Sequence, residues 1–232
     1  NDYMSFKNGL ADQPMITGVA GSGMLPGKKL RFKTQMRMLD QDPAQATSFA
    51  ISTMDYDLFE ILEMEMLAGR NFSQEFTNDS DTSVIINEYG ARALGYSPEE
   101  IVGKNVSFDA FNWRPKVIGV LKNIHNESLQ EAMQPICFVL QQYNHEYMMV
   151  KMGTNDIEET IDLVNAQWDK SFAGNPFEFF FLDNYFDSYY QAEKSFRDLF
   201  LTFTVLAILI GCLGLFGLSS YTAVQKTKEI GI

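Results

Sequence analysis

Polar and apolar residues change their spacing several times along the chain, and each change predicts an element. Residues 15–20 form a short apolar run, and residues 30–38 alternate basic or polar with apolar positions, the period-two pattern of a half-exposed strand. Residues 49–53, 84–88, 106–108, 116–122, 136–140 and 147–152 predict further strands, and the 116–122 run is apolar enough to be buried on both faces. Helical spacing appears in 55–62, where Leu58, Ile61 and Leu62 share a face behind capping aspartates. It recurs in 88–94, closed by Gly95, and after Ser97-Pro98-Glu99-Glu100, a serine cap with proline at the first helical position. The longest soluble helix is predicted over 154–173, capped by Asn155 or Asp156, with Ile157, Ile161, Val164 and Trp168 as its core stripe. Residues 1–27 are rich in turn formers, 64–72 close in a glycine turn, 73–83 and 123–129 are polar loops, and 177–182 predict an aromatic strand.

One stretch breaks every soluble pattern. From Leu199 to Tyr221 no charged residue occurs over about 23 positions, the length a helix needs to cross a bilayer. Its few polar groups, Thr202, Thr204, Ser219 and Ser220, are of the kind membrane helices tolerate. Lys226 and Lys228 follow, and the positive-inside rule makes that end cytoplasmic and places the acidic bulk of the chain outside the cytoplasm. Ala207, Gly211, Gly214 and Gly217 within the span fit close packing against another helix. The run from Tyr185 onward enters the span without a helix breaker, so displacement at one end would reach the other. No basic and apolar leader precedes residue 15, so either an earlier membrane helix or a longer preceding part of the protein is expected to deliver the domain.

Charge narrows the partners. Thirty acidic against 18 basic residues give a net charge of -12, which argues against nucleic acid. The basic exception is Lys28, Lys29, Arg31, Lys33 and Arg37, either a solvated strand face or a contact for lipid headgroups or a partner. Catalytic and metal signatures are missing: His125, His145 and Cys137 hold no zinc-ligand spacing, both histidines read as loop or surface residues, and Cys137 sits in an apolar strand. Gly21-Ser22-Gly23 lacks the context of a phosphate loop or a nucleophile elbow, and the 73–83 loop lacks the ligand alternation of a calcium loop. No enzyme activity and no cofactor are expected.

Strands alternating with helices argue an α+β fold in two lobes, with boundaries near Gly69 and Tyr143.

Several blocks resemble a known family. Ala68-Gly69-Arg70-Asn71-Phe72, Val84-Ile85-Ile86-Asn87-Glu88 with Ala91-Arg92 and Leu94-Gly95, then Gly103-Lys104 and 117–125 with Ser128-Leu129, resemble the MacB-type periplasmic core domain. Asn123-Ile124 departs from that block's usual Asp-Phe, and residues 211–218 and 226–232 (KTKEIGI) are similar to the opening of the FtsX-like permease domain, with Lys226 where arginine is common. The resemblance implies a porter-like α/β lobe from 1–68 and 144–196, an inserted strand-rich lobe over 69–143, a transmembrane helix over 197–222 and a cytoplasmic coupling segment from 223–232. It implies the permease subunit of an ABC transporter of the MacB/LolC/LolE/FtsX type in a bacterial inner membrane, its main domain periplasmic. Such a subunit transmits ATPase-driven motion across the membrane (mechanotransmission) for export, efflux or lipoprotein and peptide handling. A separate ABC ATPase would dock at Lys226, Lys228, Glu229 and Ile230, beside a second permease copy or paralogue, membrane lipid and a periplasmic adaptor or cargo. A ligand-sensing or cell-wall-hydrolase-regulating ectodomain without transport is the other reading.

Overall fold

The near-continuous apolar runs end up in the middle of one mixed sheet. The structure, a computed structural model, describes residues 2–123, 133–141, 145–153 and 156–230, with the side chains of 186–195, 224 and 227–230 outside that description. The strands are β1 (Ile16–Ser22), β2 (Lys33–Met38), β3 (Thr47–Met54), β4 (Met66–Gly69), β5 (Ser83–Asn87), β6 (Val106–Ser107), β7 (Lys116–Leu121), β8 (Ile136–Leu140) and β9 (Tyr147–Met152). They lie in the order β4-β7-β5-β8-β3-β1-β9, with β2 paired to β3 and β6 beside it. β5 runs parallel to β7 (Ile86↔Val120) and β3 parallel to β8 (Ile51↔Cys137), whereas β1 and β9 are antiparallel (Val19↔Val150).

Period two explains the core. On β5, Ile85 joins the cluster of Met54, Leu58, Phe59, Phe138 and Leu121, while Val84 and Ile86 point to the other face, against Phe49, Val117, Phe108 and Cys137. Both faces of the sheet centre are therefore dry, as β7 predicted. The strands of 69–143 hydrogen-bond directly to the flanking segments through β3 and β8, from Ala50↔Ile136 to Met54↔Leu140. Two compact units are present, residues 1–177 and 178–232.

Several expectations need correcting. The first residues form α1 (Asp2–Ala11), whose Tyr3, Phe6 and Leu10 make a buried stripe. Gly9 disguised it: a Cβ there would stand 2.0 Å from the Gln167 amide on α6 (Ile157–Ser171), so the glycine permits close helix packing. α6 is shorter than expected; Asp156 precedes it at φ 56° with no side-chain cap, Ile157 is exposed, and Thr160 with Val164 takes the core position. Residues 177–181 form no strand, and Leu182 opens α7 (Leu182–Ile230) instead, because phenylalanine favours strands only where a neighbouring strand receives it. α2 (Leu58–Ile61) follows Asp57, which makes no side-chain cap; the Asp55 carboxylate accepts from Asp57 N at 3.0 Å. Within the expected 73–83 loop lies one turn of helix, α3 (Asp79–Thr82). The helices α4 (Glu88–Ala93) and α5 (Pro98–Ile101) lie where spacing and caps place them, the latter with a full Ser97–Glu100 capping box.

Candidate functional site

α7 is 49 residues long, about 73 Å at the helical rise. Its segment Phe196–Ala223 is 28 residues, apolar enough to cross a membrane, and none of it is buried within the chain. About 42 Å of helix exceeds a hydrocarbon core of about 30 Å, leaving room for tilt or interfacial turns. The hydroxyls of Thr202, Thr204 and Thr222 donate to the carbonyls of Asp198, Phe200 and Leu218 at 2.8 Å, so these polar groups are satisfied without water.

The expected packing residues Ala207, Gly211, Gly214 and Gly217 all lie on this helix. A Cβ added at any of the three glycines would meet nothing within 4 Å, so nothing among the described residues requires glycine there. Lys226, Lys228, Glu229 and Ile230 continue the same helix without interruption; Lys226 is exposed, and the side chains of the other three lie outside the description.

In the first unit, the motif residues prove to be joints. A Cβ on Gly69 (φ 78°) would lie 2.2 Å from Ile118 O, so the turn out of β4 needs glycine. Arg70 grips Asp79 with two bonds of 2.7 and 2.8 Å and covers the Phe76 ring at 3.9 Å. Burial pushes the Asp79 carboxyl up, but bonds from Arg70 and Ser83 outweigh it and hold the group below the ordinary range. Asn71 Nδ2 donates to Tyr56 O at 3.2 Å, and Phe72 is core. Asn87 Oδ1 accepts from both Gly90 N and Ile136 N at 2.9 Å while its Nδ2 donates to Gln134 O, locking α4 to the start of β8.

A second polar cluster went unnoticed in the sequence. Lys7 Nζ lies between Asp55 and Asp57, 2.5 Å from each, and the Tyr3 hydroxyl donates to Asp55. Burial depresses the Lys7 ammonium, yet its bonds to Asp55 and Asp57 raise it overall; burial, then Asp55, drives the Tyr3 phenol far above its usual range. The His145 ring meets Tyr3 edge-on at 4.7 Å. Both ring nitrogens are buried without a hydrogen-bond partner among the described residues, so His145 lies in a loop, as one half of the expectation had it, with its ring turned inward from the surface. Burial lowers its pKa, and a Cβ on Gly21 would collide with the ring at 2.0 Å. The available signal was Tyr3 and Lys7 four apart, one helix face carrying two polar heads toward acidic 55–57.

This arrangement ties α1 to the end of β3. Cys137 is fully buried, and burial pushes its thiol far above the reactive range. Among the described residues no group of three or more His, Cys, Asp or Glu could hold a metal ion. His125 lies outside the described residues.

The family model of the MacB-like periplasmic core domain matches residues 6–167. No curated protein matches the chain. Among solved structures, a permease-protein domain from Porphyromonas gingivalis aligns at TM-score 0.51 and 13% identity, covering 74% of this chain and 82% of that one. The extracellular domain of the noncanonic ABC-type transporter YknZ from Gram-positive bacteria aligns at TM-score 0.50 and 16% identity, covering 71% and 81%. The periplasmic region of MacB from Actinobacillus actinomycetemcomitans aligns at TM-score 0.46 and 16% identity over 74% and 75%.

Proposed function

The chain belongs to the MacB-like periplasmic core domain family, and from that premise we propose that it is the extracytoplasmic domain and following membrane helix of an ABC transporter permease subunit. It stands in the bacterial inner membrane and passes ATPase-driven motion to its periplasmic face, for export or for lipoprotein or peptide handling. The observation that carries the reading is α7: one helix from Leu182 to Ile230 includes an unburied apolar span of 28 residues and ends in the basic segment. A helix without a hinge transmits axial shift or rotation between its ends, whereas a tethered span would not.

In this reading Lys226, Lys228, Glu229 and Ile230 meet a separate ABC ATPase, and Ala207, Gly211, Gly214 and Gly217 face a helix of a second permease copy or paralogue. The division into a lobe of 1–68 with 144–196 and an inserted lobe of 69–143 would separate the stalk-bearing part from the part that meets an adaptor or cargo. The deciding experiment purifies the intact parent protein in detergent and asks whether an ABC ATPase accompanies it. Co-purification that is lost in Glu229→Lys supports the reading. An intact parent with no ATPase overturns it in favour of a ligand sensor.

A further inference from the structure

The basic cluster of residues 28–37 opens onto a cavity of about 270 Å³. Its floor is apolar, with Met24, Leu25 and Leu30 all buried, and Phe32 and Tyr147 stand at its sides, Phe32 with more than half its surface exposed. The mouth is cationic. Lys28 donates to the Tyr147 hydroxyl, lies over that ring at 5.1 Å and approaches Glu146 at 3.6 Å, so its charge is largely answered locally. Lys29 and Arg31 also line the cavity and are exposed; among the described lining residues Glu146 is the one carboxylate. In a chain of net charge -12 this is a local reversal of sign over an apolar floor.

We propose that this cavity binds a small amphiphilic carboxylate, its head at Lys29 and Arg31 and its apolar body on Met24, Leu25 and Leu30. The volume lies at the small end of ligand pockets, which fits a compact acyl or aryl body and not a whole lipid. Guanidinium and ammonium groups beside low-dielectric walls favour an anion over its neutral amide and repel the matching cation. Tyr147, fixed by Lys28 and Glu146, and Phe32, seated 6.4 Å from Phe111, give the body two aromatic walls. The site does not depend on the transporter reading, since every residue in it lies in the first unit.

The test is calorimetric titration of octanoate, octanamide and octylammonium into the full chain in lipid nanodiscs, with empty nanodiscs subtracted because all three partition into lipid. Octanoate is expected to bind above the empty-disc signal and at least about tenfold more tightly than octanamide, the preference one charge-assisted contact supplies. Lys29→Glu and Arg31→Glu, both at exposed positions, are each expected to weaken octanoate by about tenfold while circular dichroism and thermal midpoint stay those of the parent. Octanoate heats equal to those of empty discs, equal affinity for octylammonium, or octanoate binding unchanged in both charge reversals would each overturn the proposal.

Discussion

Lys7 Nζ sits 2.5 Å from a carboxylate oxygen of both Asp55 and Asp57, tying the first helix of the chain to the end of β3 across 48 and 50 residues. The Asp55 side chain is 3% exposed, so this contact is not an ordinary surface ion pair. Replacing Lys7 by Met keeps the aliphatic stem and leaves Asp55 buried with the Tyr3 hydroxyl and Asp57 N as its remaining donors among the described residues. The expected loss is about 3 kcal/mol of unfolding free energy, the scale for breaking a buried pair by removing one partner. Urea denaturation followed by Trp fluorescence reads it; a loss below about 1 kcal/mol would mean water compensates the carboxylate.

His145 predicts a pH dependence of definite sign. Burial lowers its folded pKa below the ordinary histidine value, while Asp55 acts to raise it and Lys7 to lower it; Tyr3 faces the same ring. The unfolded chain therefore binds the proton more readily. The contribution is fully present above the unfolded pKa of about 6.5 and is lost as pH falls through it toward the depressed folded value. Thermal midpoints should drop between about pH 7 and pH 5, and His145→Phe should flatten that window. An unchanged slope in the variant would assign the drop to other groups.

Asp79 acts lower on the pH scale. Its carboxyl is held below the ordinary range, so its stabilisation is present above about pH 4 and lost as pH falls through the folded value. Asp79→Ala should cost about 2 kcal/mol at neutral pH, discounted because the Arg70 side chain is 37% exposed. The same variant should soften the acid limb of the stability profile below pH 4 and leave the limb near pH 6 unchanged.

Two glycines with similar backbone angles separate strain from collision. Gly69 has φ 78° and Gly95 has φ 88°, but an added Cβ meets Ile118 O at 2.2 Å in the first case and nothing within 4 Å in the second. Gly95→Ala should cost about 1 kcal/mol from backbone conformation alone. Gly69→Ala should cost several-fold more, because the β4–β7 pairing has to separate. Equal costs measured by denaturation would show that the edge strand yields freely.

What the sequence made legible was whatever repeats locally. β5, β7 and β8 are apolar runs whose alternation assigns Ile85 to one face and Val84 and Ile86 to the other, and Ser97 with Glu100 is a complete cap in four residues. α1 escaped because Gly9 weakens helical propensity for a reason visible only in Gln167, far along the chain. The 177–181 phenylalanines pointed to a strand, but a strand requires a neighbour, and no local pattern reports one. The Lys7–Asp55–Tyr3 clasp and the Arg70–Asp79 pair are long-range or loop-closing contacts, and the cavity beneath Lys29 and Arg31 is made by the 23–32 segment, Ile51 of β3, Glu146 and Tyr147 together.

The continuity of α7 yields the most direct test of force transmission. Ala192 lies on the helix between Leu182 and the apolar span that begins at Phe196. Proline there removes one backbone hydrogen bond and clashes with the preceding turn, at a cost of about 3 kcal/mol, which the chain avoids by bending. The substitution lies in sequence outside both the first unit and the 226–230 segment. If α7 works as a rod, Ala192→Pro should leave ATPase co-purification intact yet abolish the ATP-dependent movement of the ectodomains. Spin labels at Glu75→Cys in a Cys212→Ser background, with Cys137 shielded by burial, would report that movement as a distance between two copies. Ala192→Ser is the control and should behave as the parent. An ATP-dependent distance change that survives the proline would mean that motion reaches the ectodomain by another path, and α7 would then be only a tether.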